Sequence, residues 1–150
     1  MIKLQENHHI TVAAVIEKDN RFLMVEESIQ NQHVINQPAG HLEENETLVE
    51  AVIRETLEET AWQFEPEYIT GVYQWVHPEN QQIFLRFCFT GTPYKVDKDR
   101  KLDQGIIQTS WLSHEELLGQ QHKLRSPLVL ACIDDYLQGQ RYPLDIIQNI

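Results

Sequence analysis

The sequence predicts an α/β fold in which a mixed β-sheet lies between helices. Segments rich in β-branched and aromatic residues are typical of strands, and segments with apolar residues three or four positions apart are typical of helices. The 150 residues, 41% of them hydrophobic, are enough to bury the core of one domain. Because no repeat, low-complexity tract or linker divides the chain, we predict a single domain over residues 1–150.

Short strands and turns are predicted before the first helix. Residues 10–16 are predicted to form a buried strand, and a turn at residues 18–20 leads into its return strand, residues 21–26. A polar loop over residues 29–36 includes a short strand at residues 33–35. His8 and His9 precede these elements on a terminus that we expect to be mobile, and we assign them no function.

Residues 48–60 are predicted to form the first helix because they include no Gly or Pro and many helix formers. Thr47 and Glu50 form a capping box at its start. Five residues are predicted to face the core, namely Val49, Val52, Ile53, Thr56 and Leu57. On a neighbouring arc, Glu55, Glu58 and Glu59 fall within about 100° of one another, since they are three and four positions apart.

These three glutamates have two explanations. A Glu-rich helix is commonly no more than a solvated surface. However, like charges at these spacings oppose helix formation by roughly 0.2–0.5 kcal/mol per pair, and a hard divalent cation would remove that repulsion. Carboxylates are the ligands that Mg²⁺ prefers, so we expect Glu58 and Glu59 to bind metal, with Glu55 as the third ligand.

A hairpin and two further helices are predicted after the first helix. Residues 68–76 and 83–90 form the hairpin around a turn at residues 77–80, and residues 91–105 are expected to be charged and flexible. A short strand at residues 106–111 follows. Two helices then end the chain: one at residues 114–118, capped by Ser113, and one at residues 128–137, between Pro127 and Gly139.

Charge and cysteine content limit the partners and the location. The net charge of −11 argues against nucleic-acid binding, which needs a basic face. Cys88 and Cys132 are too few for a disulfide framework and are expected to be reduced core residues. No apolar span is long enough for a membrane and no secretory signal is present, so we expect a cytoplasmic protein. We also expect a monomer, with a dimer as the alternative.

The order of residues around the first helix resembles the Nudix box, G-x5-E-x7-R-E-U-x-E-E-x-G-U, in which U is a bulky aliphatic residue. Five residues separate Gly40 from Glu46, seven separate Glu46 from Arg54, and the three glutamates follow at the remaining acidic positions. The chain is therefore identified as a member of the Nudix hydrolase family by resemblance.

Two positions in the box, which ends at Trp62, depart from the family pattern. Thr56 stands where the family has a bulky aliphatic residue, and it affects packing more than chemistry. Ala61 replaces the second glycine, which supplies a left-handed residue after the helix. Because alanine would cost roughly 1 kcal/mol in that conformation, we expect the turn at Ala61 to take another shape.

The resemblance implies an α/β/α sandwich and phosphoanhydride hydrolysis that depends on Mg²⁺, with Mn²⁺ as a substitute. It implies metal ligands from Glu55, Glu58, Glu59 and the carbonyl oxygen of Gly40, and it makes Glu55, Arg54 and Glu46 the catalytic residues. Arg54 would orient the acids by pairing with Glu46, which is compatible with an ordinary ion pair to Glu58. The general base stays open between four acids, namely Glu55, Asp103, Glu26 and Glu27.

Similarity to the NudJ phosphatase subgroup of this family runs over most of the chain and is weakest over residues 91–105. The matching segments are residues 36–43, 74–75, 84–87, 124–129 and 139–144. This resemblance implies removal of a terminal phosphate from nucleoside tri- and diphosphates. It also implies action on hydroxymethylpyrimidine pyrophosphate, a thiamine precursor.

Four residues are candidates for binding such a small phosphorylated substrate. Trp75 could stack on a base or could simply pack in the hairpin. Arg86 lies in an otherwise apolar strand, where it could bind phosphate or project to solvent. Arg125 and Ser126 could bind phosphate, although Ser126 also fits an ordinary helix cap.

Two other functions compete with a phosphatase. A Nudix pyrophosphatase acting on nucleotide sugars or oxidised nucleotides would release a nucleoside monophosphate instead of orthophosphate. A non-catalytic Nudix domain that senses nucleotides would typically lose acids of the box, whereas Glu55, Glu58 and Glu59 are all present.

Overall fold

The computed structural model describes residues 7–150, and within them the chain forms nine strands and three α-helices. The strands are β1 His8–Val15, β2 Glu17–Lys18, β3 Arg21–Ile29, β4 Gln32–Asn36, β5 Ala39–His41, β6 Trp62–Val76, β7 Ile83–Val96, β8 Ile106–Leu112 and β9 Tyr142–Pro143. The helices are α1 Leu48–Thr60, α2 His114–Leu118 and α3 Leu128–Leu137. None of these helices is long and apolar enough to cross a membrane.

The strands form a mixed five-stranded sheet and a smaller antiparallel one. The larger sheet has the order β5-β1-β7-β6-β9, in which β1 and β7 are parallel and the other pairs are antiparallel. In the smaller sheet, β3 pairs with β2, β4 and β8. The predicted mixed sheet is therefore confirmed.

Helices α1 and α3 cover opposite faces of the larger sheet because the residues of β1 alternate between two cores. Val12 and Ala14 pack in the core that includes Ala51 and Val52 of α1. Ala13 and Val15 pack in the core that includes Val129 and Cys132 of α3. All these side chains are buried, and this layering is the predicted α/β/α arrangement.

Helix α1 begins as predicted but ends differently. The hydroxyl of Thr47 accepts a bond from the Glu50 N–H, and the Glu50 carboxylate accepts one from the Thr47 N–H. Ala61 adopts the left-handed conformation, with φ 65° and ψ 7°, and its N–H donates to the carbonyl of Leu57. Our expectation of another turn shape is wrong, because the end of α1 keeps the left-handed geometry that glycine would supply. Ala61 adopts this geometry at the steric cost of its Cβ atom.

We expect Ala61→Gly to raise the free energy of unfolding by about 0.5–1 kcal/mol, since glycine adopts this backbone conformation without steric cost. Urea denaturation of the two proteins measures the difference. Ala51→Gly, in the interior of the same helix, is the matched control and should lower stability by about 1 kcal/mol or more. A destabilised Ala61→Gly protein would contradict the proposed strain at the helix end.

Two predictions about strands need correction. The return strand β3 does not pair with β1; it pairs with β2 across Asp19 and Asn20, whose φ values are 52° and 63°, and it lies in the other sheet. Residues 91–96, expected to be flexible, extend β7 because β6 begins early enough to pair with them. The apolar pattern could not reveal either long-range pairing.

The expectation of a mobile terminus is also wrong for His8 and His9, which belong to β1 and pair with β7. The ring of His9 stacks on Phe84 with centroids 4.7 Å apart, and its Nδ1 lies 2.9 Å from Nε2 of His41. His9 is therefore held beside β5.

Candidate active site

Arg54 organises the acidic residues of the loop and of helix α1. Its Nε and one terminal nitrogen donate to the two carboxylate oxygens of Glu46 at 2.9 and 2.7 Å, a two-pronged contact that only arginine makes. These bonds hold the pKa of Glu46 below its ordinary value. The backbone N–H of Glu43 also donates to Glu46, so the loop before α1 is tied to the helix.

The remaining donors of Arg54 orient two glutamates of the next turn. One terminal nitrogen lies 2.7 Å from the carboxylate of Glu55 and 3.2 Å from that of Glu58. The other donates to the carbonyl of His41 at 3.0 Å. Arg54 thus contacts two of the predicted metal ligands, Glu55 and Glu58. It forms an ion pair with Glu58 and one with Glu46 at the same time.

Glu55, Glu58 and Asp103 form an acidic cluster in which one carboxylate oxygen of each lies within 4.8 Å of the others. Asp103 reaches this position because its backbone N–H donates to the carbonyl of Glu58 at 3.1 Å. Three carboxylates grouped in this way offer oxygen ligands to a divalent cation such as Mg²⁺ or Mn²⁺, which would also offset their mutual repulsion. Burial is the main cause that raises the pKa of Glu55, and the charges of Glu58 and Asp103 raise it further.

Glu59 lies apart from this acidic cluster. Its carboxylate accepts a bond of 2.8 Å from the N–H of Ala39 and is only 8% exposed. Burial raises the pKa of Glu59 to about 9, and the charges of Glu27, Glu55 and Asp103 act in the same direction. Glu59 shares the buried face of α1 with Val52 and Thr56, so the acids do not all lie on the arc that we predicted to be separate from the core.

Gly40 allows the β5 backbone to approach the carboxylate of Glu55. A Cβ atom added at Gly40 would lie 2.1 Å from Cδ of Glu55, so no larger residue fits unless that carboxylate moves. The glycine is therefore required by close packing.

We expect Gly40→Ala to weaken divalent-cation binding by about tenfold or more, because the methyl group would push the Glu55 carboxylate out of the acidic cluster. The clash involves the end of a flexible side chain, so the protein should still fold. Calorimetric titration with Mn²⁺ measures the affinity. Gly119→Ala, where the added Cβ meets nothing closer than 3.5 Å, is the control, and equal affinities would contradict the prediction.

Gly40 also lines a cleft of about 560 Å³. The four predicted substrate residues all line it, namely Trp75, Arg86, Arg125 and Ser126. Trp75 is half-buried and packs against Phe84, with ring centroids 5.6 Å apart. Ser126 has the cap contact as well, since its hydroxyl accepts a bond from the Leu128 N–H at 3.2 Å.

The two acids at the end of β3 have different surroundings. Glu26 accepts bonds from His33 at 2.7 Å and Gln108 at 3.1 Å, so its carboxylate is already used in structural contacts. Glu27 lines the cleft, and burial raises its pKa while Arg125 opposes that shift. Of this pair, Glu27 is the one placed to meet a ligand.

Thr11, His41 and Phe84 are among the cleft residues that sequence reasoning missed. Thr11 pairs with His41 on one side and with Arg86 on the other. The strand register needed to find them depends on the parallel pairing of β1 with β7, which our sequence analysis did not predict. The weak signal was the polar Thr11 within an apolar strand.

Comparisons with known proteins show the family of this chain. The family profile described as the NUDIX domain matches residues 7–131. The chain is 45% identical over 139 residues to the protein named Phosphatase NudJ of Escherichia coli strain K12, covering 93% of this chain and 90% of that protein. A solved structure named NUDIX hydrolase from Nitrosomonas europaea is 48% identical, with a TM-score of 0.92 and coverage of 95% of this chain and 97% of that chain. A structure named MutT protein from Methanosarcina mazei Go1 is 26% identical, with a TM-score of 0.70 and coverage of 89% and 96%.

Proposed function

The chain belongs to the NUDIX hydrolase family and is an enzyme acting on phosphoanhydrides, and on that premise we propose that it is a Mg²⁺-dependent phosphatase. Its proposed substrates are nucleoside tri- and diphosphates and hydroxymethylpyrimidine pyrophosphate, from which it releases orthophosphate. Mn²⁺ would substitute for Mg²⁺. We further propose that it acts as a cytoplasmic monomer, without a nucleic-acid or membrane partner.

The observation that carries this proposal is the acidic cluster of Glu55, Glu58 and Asp103, oriented by Arg54 next to a cleft. These carboxylates would hold the cation together with the carbonyl of Gly40. Glu59 would join them only after losing its proton. Once bound, the cation neutralises phosphate charge, which a protein of net charge −11 otherwise repels.

The protein residues then have separate roles. Arg54, fixed by Glu46, keeps the acids of α1 in place, so little reorganisation is needed during the reaction. Glu55 is our proposed acceptor of the proton from the attacking water, because its raised pKa brings it closer to the working pH than an ordinary carboxylate. Asp103, across the cluster, and Glu27, in the cleft, are the competing candidates.

The cleft would bind the rest of the substrate. Trp75 and Phe84 offer an aromatic surface on which a pyrimidine or purine ring can stack. Arg86, Arg125 and Ser126 offer donors for phosphate oxygens. A relative named a phosphatase, 45% identical over nearly the whole chain, supports release of orthophosphate over nucleotidyl cleavage.

The test is to incubate the purified chain with Mg²⁺ and, separately, with hydroxymethylpyrimidine pyrophosphate, nucleoside triphosphates and ADP-ribose, and to separate the products by chromatography. We expect orthophosphate together with the pyrimidine monophosphate or a nucleoside diphosphate. Release of AMP from ADP-ribose, or of pyrophosphate from triphosphates, would show that the enzyme is a pyrophosphatase and not a phosphatase. Absence of turnover with nucleotide binding retained would favour a sensor domain.

A further inference from the structure

The floor of the cleft contains two neighbouring polar side chains, each with one buried hydrogen-bonding atom that has no partner in the part of the chain that the structure describes. Within residues 7–150, Nε of Arg86 and the hydroxyl of Thr11 have no hydrogen-bond partner. Arg86 is 6% exposed and Thr11 5% exposed, and both line the cleft. The two residues are directly paired in the β1–β7 register, so their side chains lie on the same face of the sheet.

Arg86 is unusual on a sheet face because no carboxylate within residues 7–150 forms an ion pair with it. A terminal nitrogen of Arg86 donates to the side-chain oxygen of Gln37 at 3.0 Å, and the guanidinium also interacts with the thiol of Cys132, where it opposes the rise in pKa that burial causes. The amide nitrogen of Gln37 in turn donates to the carbonyl of Ala14, so the Gln37 oxygen is fixed in position to accept from Arg86. A buried guanidinium without an anionic partner is costly, and a bound oxyanion would remove that cost.

The register also places this pair between the acidic cluster and the aromatic surface. His41, next to Gly40, flanks Thr11 on the side of the acidic cluster. Phe84 lies two residues before Arg86 on the same face of β7, and Phe84 pairs with Trp75 of β6. Neighbouring positions on one face are about 7 Å apart along a strand. An anion at Arg86 and Thr11 would therefore lie one step from a stacked ring.

We propose that Arg86 and Thr11 form a phosphate-binding subsite for the phosphate that stays with the aromatic product. This assignment of a phosphate to each end of the site rests on the proposed function. The leaving phosphate would lie beyond Gly40 at the acidic cluster, and the retained phosphate would accept hydrogen bonds from Nε of Arg86 and the Thr11 hydroxyl. No bond is made or broken at this subsite, so both are positioning residues.

Binding of inorganic phosphate to the full chain in EDTA tests the subsite without any turnover. Calorimetric titration is expected to show phosphate binding to the wild type, at least about tenfold weaker in Arg86→Met and about three- to tenfold weaker in Thr11→Val. Arg21→Met is the matched control because it removes an arginine that pairs with Glu116 outside the cleft, and its affinity should be unchanged. Thermal melting checks that each variant is folded.

The outcomes separate this proposal from the proposed function. A wild type that fails to bind phosphate overturns the subsite, as does equal binding by Arg86→Met and Arg21→Met. If Arg86→Met does not fold, Thr11→Val decides, with Thr11→Ser expected to restore binding and an unchanged Thr11→Val overturning the proposal.

A second arm asks which phosphate the subsite holds. Competitive inhibition of turnover by the organic monophosphate product should weaken about tenfold or more in Arg86→Met relative to Arg21→Met. Unchanged inhibition would show that the retained phosphate does not bind at this subsite. If the chain binds phosphate but hydrolyses none of the tested substrates, the proposed function is wrong. The phosphate-binding subsite would still be supported.

Discussion

Replacing Glu58 by Gln is expected to abolish metal-dependent turnover, with kcat/KM falling at least about a thousandfold. Glu58 supplies one of the three carboxylates of the acidic cluster, and its backbone carbonyl holds the third residue, Asp103. Glutamine keeps the shape of the side chain and removes the charge that would bind the cation. The loss therefore measures the charge alone.

The fold should survive this change. The Glu58 side chain is partly exposed, and Arg54 keeps its bonds to Glu46 and Glu55 when the Glu58 charge is gone. Thermal melting in EDTA should therefore resemble that of the wild type, while calorimetry should show weaker Mn²⁺ binding.

Glu50→Gln is the matched control on the same helix. Glu50 is exposed and belongs to the capping box, where glutamine can also serve, so turnover and stability should both be retained. A fully active Glu58→Gln protein would show that the acidic cluster is not the metal site. Equal losses in both variants would indicate damage to α1 instead.

Much of this arrangement could be predicted from local sequence, because helix periodicity and caps depend on neighbouring residues. The residue at which α1 begins, and the position of Glu55 and Glu58 on the same side of that helix, follow from the spacing of residues alone. The position of Glu59 does not, since a helical wheel cannot tell how deeply a residue at the border of the apolar arc is buried. The N–H of Ala39, on a different element, gives this buried carboxyl group a hydrogen-bond donor that the wheel does not show.

Residues brought together by distant segments were harder to predict. Asp103 was one of several acids in a charged stretch, and a single backbone bond to Glu58 brings it to the cluster. Arg86 and Thr11 are separated by about half of the chain, and the parallel pairing of β1 with β7 makes them neighbours. Such pairings depend on the register of strands far apart in sequence, whereas the hairpin of β6 and β7 was predictable because its strands are adjacent.

The metal-free protein is expected to lose stability as the pH rises from about 5 to 9, and Glu59 is the main reason. The folded-state pKa of Glu59, about 9, lies above the ordinary value of 4.5. A group whose pKa is raised by folding contributes stability that is fully present below its ordinary pKa and is lost as the pH rises through the folded value. Each pH unit between those values costs up to about 1.4 kcal/mol.

Urea denaturation in EDTA at several pH values measures this loss in the wild type and in Glu59→Gln. The neutral amide can still accept the N–H of Ala39, so the variant should be less dependent on pH. Burial and the neighbouring His9 lower the pKa of His41, which gives a slope of opposite sign near and below its ordinary pKa. Both proteins contain His41, so the difference between them isolates Glu59.

Divalent cations should reverse the trend, because the cation competes with the proton for the carboxylate and binds more tightly as the pH rises. Adding Mn²⁺ is therefore expected to stabilise the wild type more at pH 8 than at pH 6, with a smaller difference in Glu59→Gln. Glu50→Gln, on the exposed side of α1, should behave like the wild type throughout. If wild type and Glu59→Gln lose stability in parallel between pH 5 and 9 in EDTA, Glu59 is ionised in the folded protein, and the energetic cost that we assign to its burial is wrong.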